Sequence, residues 1–455
     1  MKKIIFCVMT FLLIATIVPL VLIAAKDEPA KDKEAPPEKI TLRYVSNMWR
    51  EGAIAAQERQ LEAFKKAHPN IDIEPTIYIP WADYRTWLLR AVASDTLPDV
   101  VQHGVEFLDE FAQYGAFLAL EDFITDDHYD RVIDAAWETA KVEGTIYALP
   151  HMLWIEPAFM YRKDIFRNEG IEPAPIGDPW SMEEALAVAK KLTADLDGDG
   201  IVDRWGWVER GRVGWIFLKH FGWHIRTWGG DIITKTPDGK YKSGIKLPET
   251  RQAIKFFVEL HTKNKVAPEA AIGYGFSDWR SGFISDQIAM GTMGTWLGGI
   301  LIPQNPDVEW GIMDLPYANQ SITQVATFSM SISSQTKHQE AAWELANWLT
   351  TNTVEDRVEI CDIQGGMIVL RDILETSDYQ NNPNREVLKP YMKGFLSGEI
   401  KNVKTWARHP SPQYADVMIS VVAPTVHNII LGEMTFDEGI DHMDKEINKK
   451  LQYRE

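Results

Sequence analysis

Apolar residues recur along this chain at two spacings, and the switches between them lay out its elements. Ile40, Leu42 and Tyr44 alternate with Thr41, Arg43 and Val45 over residues 40–46, which is a strand period. A helix period follows, with Ile54, Leu61 and Phe64 on one face. His68-Pro69 ends it, because proline cannot continue the helical hydrogen-bond ladder. Ile71 and Ile73, then Ile77 and Ile79, restore the period of two, and LPDVVQ at 97–102 reads as a short buried strand. Strands alternating with helices this early predict βαβ units and a largely parallel sheet.

The middle and end of the chain are dominated by the helix period. Ser181 and Glu184 form a capping box ahead of a helix whose Ala185, Ala189 and Leu192 share a face. Pro248 opens another, with Ala253, Phe256, Phe257 and Leu260 inward. Ala341, Leu345, Trp348 and Leu349 mark a third, and Ile440, Met443, Ile447 and Leu451 the last. No repeat of roughly 20–50 residues is present. At 455 residues the chain is too long for one ordinary core, so the pattern predicts an α/β protein of two lobes.

One stretch carries neither period. Lys2 and Lys3 precede an uncharged, mostly apolar run over residues 4–25 with Pro19 inside it, the pattern of an export segment. At about 1.5 Å per residue the run is also long enough for a bilayer core of about 30 Å. Cleavage after Ala25 wants a small residue where Ile23 stands, and no Cys follows, so a lipid anchor is not expected. The charged, Pro-containing tether KDEPAKDKEAPPEK comes next. Residues 1–25 are therefore a cleaved signal peptide or an uncleaved membrane anchor, with residues 26–38 as tether. Either way the protein is expected outside the cytoplasm, in the periplasm or on the cell surface.

Charge and cysteine narrow the picture. A formal net charge of −18 argues against nucleic acid or an anionic membrane as ligand. Cys7 falls in the export segment and Cys361 stands alone, which leaves no internal disulfide and no zinc spacing. The acidic run LTADLDGDGIVDRWG at 192–206 is more pointed. Hard cations take about 6–8 oxygens, supplied by loops from alternate positions around a glycine. Asp195, Asp197 and Asp199 hold the first, third and fifth positions, Gly200 the sixth, the Ile201 carbonyl the seventh and Asp203 the ninth. The twelfth is Gly206 instead of a bidentate Glu, and Glu209 could replace it only if the backbone bent back. The loop is expected to hold a structural Ca2+ or else to be a solvated acidic turn; no other cofactor is expected.

Seven pieces occur in an order that resembles the extracellular solute-binding proteins, family 1, that feed ABC-type sugar importers, maltose-binding proteins among them. They are FKKAHPNIDIE at 64–74, TLPDVV at 96–101, GTIYALP at 144–150, FMYRKDIF at 159–166, DQIAMGTMGTW at 286–296, EWGIMDLP at 309–316 and QGGMIVLRD at 364–372. The resemblance implies a two-lobed periplasmic-binding-protein fold of class II type. Each lobe would be a mainly parallel sheet flanked by helices, with the ligand cleft between lobes. It assigns residues 39–155 plus 325–355 to the first lobe and 156–324 plus 356–455 to the second. Crossings are implied near 153–158 and 323–328.

A sugar presents an apolar face and a rim of hydroxyls, so its site needs flat aromatics and short polar groups. With 17 tryptophans the chain can supply the platforms. Trp296, set among Gly294, Gly298 and Gly299, stands where the family commonly places an aromatic ligand contact. Asn47, Trp49 and Glu51 follow the first strand, at the end where ligand loops belong, though Trp49 could equally cap the first helix. His103 follows LPDVVQ, and Trp81 lies in IPWADY, where it could instead pack under the next helix. Trp154 and Glu156 lie at the implied crossing, Trp228 precedes a glycine pair, and Gly365 with Gly366 resembles the family's ligand-approaching turn. Arg408 could make a bidentate contact to a ligand or a surface ion pair.

These residues imply capture without chemistry: a monomer closes on a small-molecule carbohydrate, an oligosaccharide given the tryptophan count, and delivers it to ABC permease subunits. A binding protein for another solute, such as a glycerol-phosphate diester, polyamine or peptide, is the alternative. A glycoside hydrolase would need two carboxylates at about 5–5.5 or 6.5–9.5 Å, which composition alone does not exclude.

Overall fold

The strand signal at 40–46 divides in two, Ile40–Leu42 and Tyr44–Ser46. Arg43 lies between them and donates its backbone N–H to Asp99 Oδ2 at 2.8 Å instead of to a strand. A computed structural model describes residues 39–400, 402–405 and 408–452, and Lys39–Glu455 forms one compact unit. The expected export segment and tether lie outside the described residues. Among those described, no helix is long and apolar enough to cross a membrane.

Two sheets organise the molecule. In the larger, Tyr44–Ser46 runs parallel to Ile77–Tyr78 on one side and to Val100–Gly104 on the other. Thr323–Ile332 then pairs antiparallel with Val100–Gly104 and with Leu149–Ile155, which in turn meets Met367–Ile368. Val403–Thr405 adds a parallel neighbour to Thr323–Ile332, making seven strands. The smaller sheet is ordered Trp205–Trp207, Ile288–Met293, Ala158–Arg162, Trp310–Met313. Its first pair is parallel and the other two antiparallel.

The two-lobed α/β class therefore stands, with mixed sheets in place of mainly parallel ones. The physical reason is the crossing: Leu149–Ile155 in one sheet leads through Glu156-Pro157 into Ala158–Arg162 in the other. A chain that crosses must also return, and Thr323–Ile332 brings it back antiparallel to the strand that left. The return lies ahead of residues 323–328, since that whole strand already belongs to the larger sheet. Met367–Ile368 and Val403–Thr405 also pair in the larger sheet, although residues 356–455 were assigned to the other lobe. Strands this short show no hydrophobic period to read.

Helices cover the sheets much as the spacing predicts. Glu51–Ala67 buries Ala53, Ala56, Leu61 and Phe64. Met182–Leu192 carries the capping box in both directions, with Glu184 N–H donated to Ser181 Oγ. Pro248–His261, Gln339–Thr351 and Phe436–Gln452 bury the faces their sequences mark.

Candidate functional site

Side chains converge from the carboxyl ends of the parallel strands, where the backbone turns into loops and helices. Ile77–Tyr78 leads to Trp81, and Val100–Gly104 leads to Glu106, both in the first lobe. Across from them, Trp205–Trp207 leads to Glu209 and Arg210, and Ile288–Met293 to Trp296. Lys219 comes from the helix Trp215–Thr227, and Glu156 from the crossing itself.

Glu156 is the hub. Its Oε1 accepts from Lys219 Nζ at 2.7 Å and from Trp296 Nε1 at 2.8 Å, with only 4 % of the residue exposed. Lys219 Nζ also lies 5.8 Å from the Trp81 ring centre, and the Trp81 indole donates to Glu106 Oε1 at 2.6 Å. Phe107 and Trp215 meet edge-on at 6.3 Å beside this line. An aromatic and a carboxylate from one lobe thus face a cation and an aromatic tied together at the crossing. Burial raises the Glu106 pKa, opposed by the nearby Lys219 ammonium.

Behind Trp296 stands a buried relay. Arg210 donates to His220 Nε2, His220 Nδ1 lies 2.6 Å from Thr292 Oγ1, and Thr292 donates to Glu209. Glu209 also accepts from Trp207 Nε1 at 2.8 Å. Burial, then the Arg210 charge, holds the His220 pKa well below its ordinary value, so this imidazole is neutral. On the other flank Arg50 donates to the carbonyls of Ile363 and, at 3.2 Å, of Trp296. Gly365, at φ +67°, lets the last glycine turn reach this point: a Cβ there would stand 2.8 Å from Trp296 Cα and 2.9 Å from its carbonyl oxygen.

The structure brings Trp296, Glu156, Trp81 and Gly365 into this neighbourhood. Trp154 and Gly366 lie just beneath it. The Trp154 indole donates to Gln364 O at 3.1 Å, and a Cβ on Gly366 would meet Trp154 Nε1 at 3.1 Å. Asn47 is fully buried, and neither its amide oxygen nor its nitrogen has a hydrogen-bond partner among the described residues. Trp49 is 50 % exposed with the Arg50 guanidinium 4.5 Å from its ring centre, while Glu51 is exposed at the first turn of its helix.

Three expected contacts lie elsewhere. His103 is fully buried, stacked on Phe117 at 5.1 Å, with Nδ1 2.9 Å from Gly104 O and Nε2 2.7 Å from Ser331 Oγ. Both ring nitrogens are engaged within the sheet, so nothing remains for a ligand. Trp228 caps the C-terminus of Trp215–Thr227 and packs near Phe256. Arg408 takes its surface ion-pair reading, with Asp109 Oδ1 at 3.3 Å from both Nε and Nη2. Sequence reasoning in turn missed Glu106, Arg210, Lys219 and Arg50. Three of these sit within a few residues of a strand's carboxyl end, a signal available beforehand; Lys219, inside a helix, gave none.

The acidic loop forms a separate place. Carboxylate oxygens of Asp195, Asp197 and Asp203 come within 4.8 Å of one another. Asp195 accepts from the N–H groups of Gly198 and Gly200 at 2.7 and 2.8 Å, and the Gly200 bond holds its pKa below the usual carboxylate value. Asp199 accepts from Ile201 N–H at 2.8 Å and is not in the cluster; the Ile201 side chain is exposed. Glu209 does not bend back to the loop, being committed to Trp207 and Thr292.

Solved structures share the fold. A solute-binding protein of Thermotoga lettingae, bound with alpha-D-tagatose, superposes with a TM-score of 0.70 at 21% identity, over 90% of this chain and 100% of that one. A maltose-bound protein of T. maritima gives 0.70 at 22% identity, over 90% and 100%. By sequence, an uncharacterised ABC transporter extracellular-binding protein of Pyrococcus horikoshii is 28% identical over 338 residues, 71% of this chain and 72% of its own. The family described as bacterial extracellular solute-binding protein matches residues 50–356. Such proteins bind and do not catalyse, which removes the hydrolase alternative. With a match over more than half its length, in the fold those proteins adopt, this chain belongs to the bacterial extracellular solute-binding protein family.

Proposed function

We propose that this protein captures a carbohydrate, an oligosaccharide, between its lobes and delivers it to the permease subunits of an ABC importer, acting as a monomer. The observation that carries this reading is the pair of indoles, Trp81 and Trp296, linked through Lys219 and Glu156. Stacking platforms beside buried polar groups are what a ring with an apolar face and a hydroxyl rim requires. The unmet amide of Asn47 and the unmet hydroxyl of Thr295 add hydrogen-bonding capacity. Lobe closure would follow from the ligand's preference for the closed state. Residues 1–25 would direct export as a signal or anchor, leaving the binding unit outside the cytoplasm.

A thermal-shift screen against mono- and oligosaccharides, with polyamines and glycerol phosphates alongside, tests the reading. A ligand of the folded state at hundredfold excess over Kd adds about 2.7 kcal/mol of stability. A saccharide that raises Tm and stays chemically intact supports capture; stabilisation by a polyamine or glycerol phosphate alone overturns the sugar assignment.

The converging oxygens of Asp195, Asp197 and Asp203 favour a second, structural reading of their loop as a Ca2+ clip, with the Ile201 carbonyl as a further ligand. Asp199, turned to its own backbone, would stand outside the shell.

A further inference from the structure

The two guanidinium groups that flank Trp296 are the least balanced charges in the site. Arg210 is 4 % exposed, and its guanidinium carbon lies 5.8 Å from the Trp296 ring centre. It makes no ion pair among the described residues, and its Nε has no hydrogen-bond partner there. The group it does touch, His220, is a neutral acceptor and leaves the positive charge in place. Glu156 and Glu209 are near enough to act on its charge but neither bonds it: Glu156 accepts from Lys219 and Trp296, Glu209 from Trp207 and Thr292. Arg50 likewise meets only backbone carbonyls and the Trp49 ring.

Comparably buried arginines elsewhere are paired. Arg162 meets Asp164 and Asp286, Arg204 meets Glu169, and Arg385 meets Asp362. Among the described residues Arg357 also lacks an ion pair, but it is fully buried and donates to His151 O. An unpaired buried cation is costly unless a partner arrives. Burial pushes the Arg210 pKa down only to about 10, so the charge persists at neutral pH.

We propose that the captured saccharide is anionic, carrying a carboxylate or phosphate group that Arg210 receives beside Trp296, with the Arg50 charge on the other flank. This rests on the capture reading above and narrows its substrate class. A planar guanidinium gives paired N–H donors to such a group, and a desolvated site makes the contact strong. The indole serves the sugar ring while the arginines serve its charge, so affinity for an acidic sugar depends on salt and affinity for a neutral one does not.

Isothermal titration on the full chain tests this with four sets of probes. These are uronic-acid di- and trisaccharides, their neutral methyl esters, unsubstituted neutral oligosaccharides, and sugar phosphates. The expected result is at least tenfold tighter binding of the best anionic probe than of the best neutral one, weakening as salt is raised. Whether the uronates or the phosphates lead identifies the source of the charge. Arg210→Gln is expected to lose at least tenfold for the anionic probe and markedly less for the methyl ester. Equal or tighter binding of neutral sugars overturns this inference and leaves capture standing. Failure of every saccharide to bind the folded protein overturns both. If Arg210→Gln does not fold, the acid-against-ester comparison on the unaltered chain decides alone.

Discussion

The cleft and the acidic loop are both polar, and they are built in opposite ways. In the cleft, Trp81, Glu106, Glu156, Arg210, Lys219 and Trp296 come from six separate segments, and their side chains hold one another in partial or complete burial. In the loop, Asp195, Asp197 and Asp199 accept N–H groups from residues two to five positions along, in open solvent. The loop is self-sufficient; the cleft exists only when both lobes are folded. Disturbing a cleft charge should therefore reach global stability, whereas disturbing a loop charge should stay local.

The sharpest way to break this contrast is Glu156→Ala. It strips an acceptor from Lys219 and from the Trp296 indole at a site nearly closed to water. Losing one partner of such a pair costs about 3–5 kcal/mol. Urea unfolding should show a loss of that size, with Glu156→Gln intermediate; a loss comparable to that of a loop variant would dissolve the contrast.

Acid should separate the buried interior from the loop next. Burial pushes the His103 and His261 pKa values down to about 4, and drives His220 well below its ordinary value. For a depressed histidine the unfolded chain binds the proton first. The stability it contributes is thus complete above the unfolded pKa of about 6.5 and is lost as pH falls toward the folded value. Each such histidine then costs about 1.4 kcal/mol per pH unit between about 6.5 and 4. Asp195, held low by the Gly200 N–H, contributes only nearer its own lower range, and in solvent. Denaturant midpoints against pH should fall through the histidine window, and His103→Gln should flatten the slope. A profile that stays level down to pH 4 would count against burial as its control.

Trp296→Ala acts on binding instead of folding. With the ring only partly buried and exchanged for a methyl, saccharide affinity should drop by about 1–3 kcal/mol while the melting curve keeps its shape. Unchanged affinity would remove Trp296 from the site and shift the platform to Trp81.

These two regions also show what a sequence exposes. The loop was legible because its acids are neighbours in the sequence: three of the four expected aspartates do converge. Trp296 drew notice through an ordered motif and Glu156 through the implied crossing, while the main helices were legible through their 3.6-residue period. Arg210 and Lys219 were not, because what makes them matter is the company they keep across the fold, and neither stands in a motif. His103 misled for the complementary reason. A histidine at a strand end looks the same whether its ring faces a cleft or, as here, lies between Phe117 and Ser331. The mixed sheets were hidden too, since antiparallel crossing strands buried on both faces read like parallel ones.

The smallest expected effect belongs to the loop. Asp197 and its neighbours are exposed, so an ion held there would be screened and coupled to folding only through its own binding. At calcium fivefold above Kd the gain is about 1 kcal/mol. For a chain of this length that moves Tm by roughly 1 °C, because the unfolding entropy grows with size. Calorimetry in millimolar calcium and then in chelator should show that difference, and Asp197→Asn should abolish it. Asparagine keeps an oxygen to accept the Asp199 N–H, so the turn survives and only the charge is lost. Identical curves with and without calcium would leave the loop a solvated acidic turn, stable through its own backbone bonds.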